Sequence, residues 1–270
     1  PILDAAGRIT HFVATGSDVT ERKRAEARED AHFAVTRILA EAPGLRQAVP
    51  AILEAICRGV EWDFGELWLV DAEGRYLTWY DSWHPPEPAA AGFAGASRDL
   101  RFARGEGLPG RVWVKGAPAW VLDVIEDPGF LRKPFAMQAG LHGAVGFPIR
   151  GSSALNGVMV FLSGRVREPE EAVLRTMEDI GRQVGQFIER KRAEEEEERL
   201  QQAVRRSALE WRLTFDAIES PILMVDSHGR VVRLNRAAQG NAGKSFEEIL
   251  GRPVEAIQPG QPWCTAAALA

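Results

Sequence analysis

Cysteine is scarce: Cys57 and Cys264 are the two in 270 residues. Their separation suits neither a disulfide framework nor a zinc site, so two unpaired thiols in a reducing, cytoplasmic setting are expected. Long hydrophobic runs are also missing. The longest kind, such as Val158–Leu162, falls far short of a bilayer span. The opening Pro-Ile-Leu-Asp has neither the basic start nor the apolar core of a secretory leader, and no leader is expected. An excess of positive charge is absent too. Lys and Arg total 33 against 38 Asp and Glu, a net charge of -5, which gives no general drive towards nucleic acid or anionic membrane. Histidines are few: His11, His32, His84, His142 and His228. None is paired at i, i+4 as a metal site would need, and none precedes an acid, the usual setting of a phospho-acceptor histidine. Ser152-Ser153 has no Ser-His-Asp context. The acidic run Glu194–Glu198 reads as a solvated helix face. With no catalytic constellation, this segment is expected not to be an enzyme.

What is present is a globular composition, 45% hydrophobic and 26% charged, in a chain long enough for more than one domain. Two repeats organise it. Glu21-Arg22-Lys23-Arg24-Ala25-Glu26 recurs letter for letter at Glu189–Glu194, in strong helix formers both times. The pattern Asp-x-x-Gly-Arg occurs at Asp4–Arg8, Asp71–Arg75 and Asp226–Arg230, each between β-prone stretches. An Asp that bonds its downstream backbone, with a Gly for the positive φ, closes a short hairpin. Three related antiparallel-sheet segments are therefore expected, with the outer two incomplete and the chain cut at both ends.

The helices between them have readable ends. Asp18-Val19-Thr20-Glu21 fits a capping box, and Pro169 fits a first helical position followed by acids. Met177, Ile180, Val184 and Phe187 keep a 3-4-3 seam that lapses at Glu194–Glu198 and resumes near Leu200, Val204 and Trp211. The phase does not carry through, which predicts a break or stutter. A helix this long, lacking a partner in its own chain, is expected to pair in parallel with a second copy. Between the linkers, helices over Ala31–Leu39 and Val49–Val60 precede paired strands at Gly65–Val70 and Tyr76–Trp83. A loop from His84, a strand at Ala119–Val124 and a strand pair at Ala144–Ile149 and Gly157–Leu162 complete the pattern. Helices before and after antiparallel neighbours give an α+β class.

This centre, from about Ala31 to Arg190, resembles the GAF family. The blocks that carry the resemblance are Gly105–Trp113, Gly116–Val124, Gly146-Phe147-Pro148-Ile149 and Gly157–Phe161, in order and at suitable spacing. The first residues resemble the end of a PAS domain, and those from Trp211, with Ile222–Asp226, Gly229 and Asn235–Ala238, resemble the start of another. The resemblance implies five segments: 1–20 the end of a PAS-like domain, 21–30 a helical linker, 31–190 the GAF domain, 191–212 a coiled-coil-type signalling helix and 213–270 a truncated second PAS-like domain. Such arrays look like the input halves of bacterial sensor histidine kinases in two-component systems, with cyclic-dinucleotide enzymes as the alternative parent. The implied role is sensory input and signal transmission, as a homodimer, with Asp18, Thr20, Glu21 and Phe187 in the signal linkers.

The resemblance also implies a small-ligand pocket between the sheet and its covering loops. Trp68, Trp83, Trp120, Asp123, Phe135, His142 and Phe147 are the candidate lining. The competing reading is that these aromatics fill the core of a ligand-free dimerisation scaffold. No cofactor is identified. Haem on His142 and bilin on Cys57 are not expected, because Cys57 lies on an early helix. Gly105-x-Gly107-x-x-Gly110 matches a dinucleotide fingerprint only in letters. The preceding Arg98–Arg104 is alternating and charged where a phosphate site needs a buried strand, so a turn opening a helix is expected.

Overall fold

The computed structural model describes residues 2–3, 9–11, 20–152 and 154–257. Two compact units emerge, Pro1–Ala193 and Glu194–Ala270. In the first, β1 (Ile2–Leu3) and β2 (Ile9–His11) pair antiparallel. The Asp4–Arg8 turn and the Asp18 capping position lie outside the described residues. Helices α1 (Thr20–Glu41) and α2 (Leu45–Val60) follow. In α2 the buried positions Ala48, Val49, Ile52, Leu53, Ile56, Cys57 and Val60 recur every three or four residues, so one stripe faces the core. The helix stops at Glu61, which takes a left-handed φ of 55°.

Six strands form one antiparallel sheet: β3 (Phe64–Val70), β4 (Leu77–Trp83), β5 (Arg101–Phe102), β6 (Ala119–Val121), β7 (Gly143–Arg150) and β8 (Leu155–Ser163). Their order is β5-β4-β3-β8-β7-β6. The β3–β4 hairpin closes as its Asp-x-x-Gly-Arg signature requires. Asp71 Oδ1 accepts the N–H groups of Arg75 and Tyr76, and Gly74 takes φ +68°. Strand alternation then assigns each face. Leu67, Leu69, Val145, Phe147, Met159 and Phe161 pack against α1, α2 and the first part of α6 (Glu171–Ala217). Phe64, Trp68, Leu77, Val158, Val160 and Leu162 face the opposite layer of α3 (Pro88–Ser97), α4 (Gly107–Lys115) and α5 (Lys133–Gln138).

The glycine-rich segment does open a helix. Gly105 and Gly107 take φ of +85° and +58°, and a Cβ on Gly110 would fall 2.3 Å from the Ala103 carbonyl oxygen. The glycines let the chain fold tightly on itself ahead of α4. Three expectations are corrected. The loop after His84 contains α3, whose start at Pro88 uses the φ that proline already has. The strand at Ala119–Val124 ends at Val121, because the Asp123 carboxylate turns back to take the Ile125 N–H. Finally, α6 runs unbroken for 47 residues, so of the break or stutter expected at Glu194–Glu198 the helix shows no break.

The seam on α6 is corrected as well. Met177, Ile180, Val184 and Phe187 are buried in the same core as Val145, Phe147 and Phe161 of their own chain, so the first part of the helix does have an internal partner. Its approach is close. A Cβ on Gly181 would come within 2.6 Å of the Pro148 carbonyl oxygen, and one on Gly185 within 1.9 Å of the Arg150 carbonyl oxygen. One turn later, Glu189 accepts the Ser152 N–H at 2.9 Å, and Asn156 Nδ2 donates to the Gly185 carbonyl. The helix is thus seated on the β7–β8 hairpin through backbone contacts. Beyond Ala193, Leu200, Val204, Leu209, Trp211 and Leu213 are exposed.

The second unit contains β9 (Leu223–Val225), β10 (Val231–Leu234), α7 (Arg236–Ala242), α8 (Phe246–Ile249) and α9 (Val254–Ile257). Its core joins Val231, Leu234, Ala238, Ile249, Val254 and Ile257. The β9–β10 hairpin repeats the turn chemistry: Asp226 Oδ1 accepts from His228 and Arg230, and Gly229 takes φ +73°. Asn235, fully buried, caps α7. Its Oδ1 accepts from Ile222 and Ala238, and its Nδ2 donates to the carbonyls of Ile218 and Ser220. Asn235→Ala removes a cap and orphans two donors and two acceptors. It should lower the stability of this unit by about 2–3 kcal/mol in urea denaturation followed by circular dichroism.

Candidate functional site

The seven pocket candidates do not converge. Trp68 lies on the sheet face covered by α3, α4 and α5. Phe147, Trp83 and Trp120 pack on the opposite face, and Trp120 Nε1 donates to the Arg167 carbonyl at 2.6 Å. Phe135 stands exposed on α5. Asp123 and His142 pair with each other at 3.1 Å beside β6 and β7, half-exposed. Of the linker residues, Thr20 opens α1, Glu21 pairs with Arg24 at the surface at 3.1 Å, and Phe187 is buried in the core.

A different group does converge on the covered face. Glu66 sits mid-strand in β3, between Ser82 of β4 and Val160 of β8, with its side chain fully buried. Arg132, just ahead of α5, reaches it with a side chain only 3% exposed. The contact is bidentate: Nη1 donates to Oε2 at 2.8 Å and Nη2 to Oε1 at 2.5 Å. Nη1 also donates to Ser97 Oγ on α3. The guanidinium lies 4.3 Å from the Phe93 ring centre and 5.5 Å from those of Trp68 and Phe130. A carboxylate, a hydroxyl and three rings therefore surround one cation. The signal in the sequence was a lone Glu in the apolar run Phe64-Gly65-Glu66-Leu67-Trp68. Nothing local marked Arg132 or Ser97 as its partners, since they are 66 and 31 residues away.

The segment from Leu122 to Arg132 closes over this face and is tied at two further points. Arg111 of α4 pairs with Asp127, whose Oδ1 also takes the Gly129 N–H at 2.9 Å. The Arg111 guanidinium, outweighing burial, holds the Asp127 carboxyl below the usual carboxylate range. Asp123 is lowered too: burial opposes this, but the Ile125 N–H and His142 outweigh it. On the other face, burial pushes the Cys57 thiol far up, helped by Asp63 and Glu54, so it is a poor nucleophile. Among the described residues no group of three or more His, Cys, Asp or Glu is placed to hold a metal, and no helix is long and apolar enough to cross a membrane.

A six-stranded antiparallel sheet with helices on both faces, and a long helix leaving it, defines an α+β module of the GAF type. The GAF domain family model matches residues 42–189, and a PAS fold model matches residues 215–269. The chain belongs to the GAF domain family, and a PAS-fold segment follows its GAF domain. It is similar to the Nif-specific regulatory proteins of Azospirillum lipoferum and Azospirillum brasilense, 28% identical over 131 residues in each case. That similarity covers 47% of this chain, and about a fifth, 20%, of the length of those relatives. Among solved structures it is similar to the GAF domain of a phosphoenolpyruvate-protein phosphotransferase from Coxiella burnetii: TM-score 0.55, 21% identity, 63% of this chain and 97% of that one. Free methionine-R-sulfoxide reductase from Neisseria meningitidis, solved with its substrate, matches at TM-score 0.51 and 18% identity, over 68% and 96% of the two chains. At these identities the structural likeness is one of fold.

Proposed function

We propose that this chain is the sensory input and relay segment of a larger bacterial signalling protein, acting as a homodimer in the cytoplasm. The parent proposed is a two-component sensor histidine kinase, and this segment itself performs no catalysis. The observation that carries the reading is α6. Its first part is fixed to the β7–β8 hairpin of the GAF sheet through Gly181, Gly185 and Glu189, and the same helix continues without a break to Ala217. A change in the sheet or its cover alters the seat of α6. The helix then biases whatever follows it between two arrangements.

Dimerisation is assigned to the later part of the helix, where Leu200 and Val204 stand exposed four residues apart. The earlier seam is spent on the chain's own core. Light scattering on the purified chain should give a dimer, and Leu200→Asp with Val204→Asp should give a monomer of unchanged helix content. A chain already monomeric before substitution would sink this reading. The similarity to the Nif-specific regulatory proteins supports, as a second reading, a regulatory parent other than a histidine kinase.

A further inference from the structure

We propose that the cage formed by Glu66, Ser97, Trp68, Phe93 and Phe130 is a recognition site for a small guanidinium-type cation, and that Arg132 is its resident, displaceable occupant. This deepens the sensory reading and rests on it for its meaning, although the binding itself stands apart from the relay.

The division of labour between the partners supports it. The acceptors are fixed: Glu66 is held on both sides by neighbouring strands, and Ser97 is anchored by its bond to the Phe93 carbonyl on α3. The cation comes from the covering segment, at the end of the stretch that begins at Leu122. A buried carboxylate must have a cation or lose its charge, so the fixed part of the site is selective for a planar donor fork set among aromatic faces. Any molecule presenting that fork satisfies Glu66 and Ser97 as Arg132 does. The covering segment then remains tied through Arg111–Asp127 and His142–Asp123 while Arg132 leaves. A second observation points to a ligand larger than the guanidinium alone. Trp68 and Trp79 face each other across β3 and β4, and each buries an indole N–H with no acceptor in the protein. A ligand carrying a hydrogen-bond acceptor beyond its cationic head would meet a need that Arg132 leaves unmet.

The test uses the whole 270-residue chain. Arg132→Ala should lower Tm by about 10 °C. Millimolar ethylguanidinium should recover at least half of that loss, ethylurea should recover none, and the Glu66→Gln, Arg132→Ala double variant should respond to neither. In the unaltered chain, agmatine should speed amide hydrogen exchange at residues 128–133, beyond the Asp127 tie, and leave residues 122–127 unchanged, and Glu66→Gln should remove the effect. Recovery by ethylurea as strong as by ethylguanidinium would overturn the proposal. So would exchange that agmatine leaves unchanged, and this second measurement decides alone if Arg132→Ala does not fold. Binding here and signal relay in the parent are read separately, so either reading can fail without the other.

Discussion

Arg132→Met is expected to lower the unfolding free energy of the GAF unit by about 3–5 kcal/mol. The variant keeps most of the side-chain volume and removes the charge, leaving the fully buried Glu66 carboxylate without its cation and with Ser97 Oγ as its remaining side-chain donor, at 3.2 Å. The loss does not measure what the pair contributes. Burying two ions costs nearly as much as their attraction returns, and the size of the effect comes from stranding one of them. Glu66→Leu combined with Arg132→Met should therefore recover most of the stability, since the cage is already lined by Phe93, Trp68 and Phe130. Urea denaturation of the single and double variants, followed by tryptophan fluorescence, separates the outcomes. If the double variant is as unstable as the sum of its parts, Glu66 and Arg132 act independently and the cage account fails.

Gly185→Val should destabilise the same unit by about 3 kcal/mol and detach α6 from the β7–β8 hairpin. In an open helix the change would be neutral or favourable, because glycine costs up to about 1 kcal/mol relative to alanine there. The sign reverses because even a Cβ would sit 1.9 Å from the Arg150 carbonyl oxygen, a backbone atom that no rotamer change can move. The helix must back away, and the Asn156–Gly185 and Glu189–Ser152 bonds go with it. Gly92→Ala on α3, where a Cβ meets nothing within 4 Å, supplies the control and should leave the unit equally or slightly more stable. Thermal melts of both variants check the pair.

The turn and strand chemistry was legible in the sequence. Each Asp-x-x-Gly-Arg turn whose residues are described forms the hydrogen bonds its letters require, at Asp71 and at Asp226. The GAF blocks, read in order, led to the right sheet. What stayed hidden depended on contacts between distant residues. The seam Met177–Phe187 looks the same whether it meets a second chain or the chain's own sheet, since both bury one apolar stripe. Only the short separations at Gly181 and Gly185 distinguish them. The candidate pocket failed to assemble for a related reason. Aromatic residues mark burial, but the face each occupies follows from strand register, and Trp68 and Phe147 alternate to opposite sides of one sheet. The charged pair that does occupy the covered face joins residues 66 positions apart.

In the proposed relay, α6 carries the state of the GAF sheet to whatever follows it. The most direct test is to change the phase of that helix in the full-length parent. Deleting Glu195–Glu198 shifts the later seam off the heptad repeat, whereas deleting the seven residues Ala193–Arg199 keeps Leu200 and Val204 and restores the phase in a shorter helix. The account predicts that the first deletion locks or inverts output while the second keeps regulated output close to that of the unaltered parent. Output that follows the stimulus normally after both deletions would contradict it.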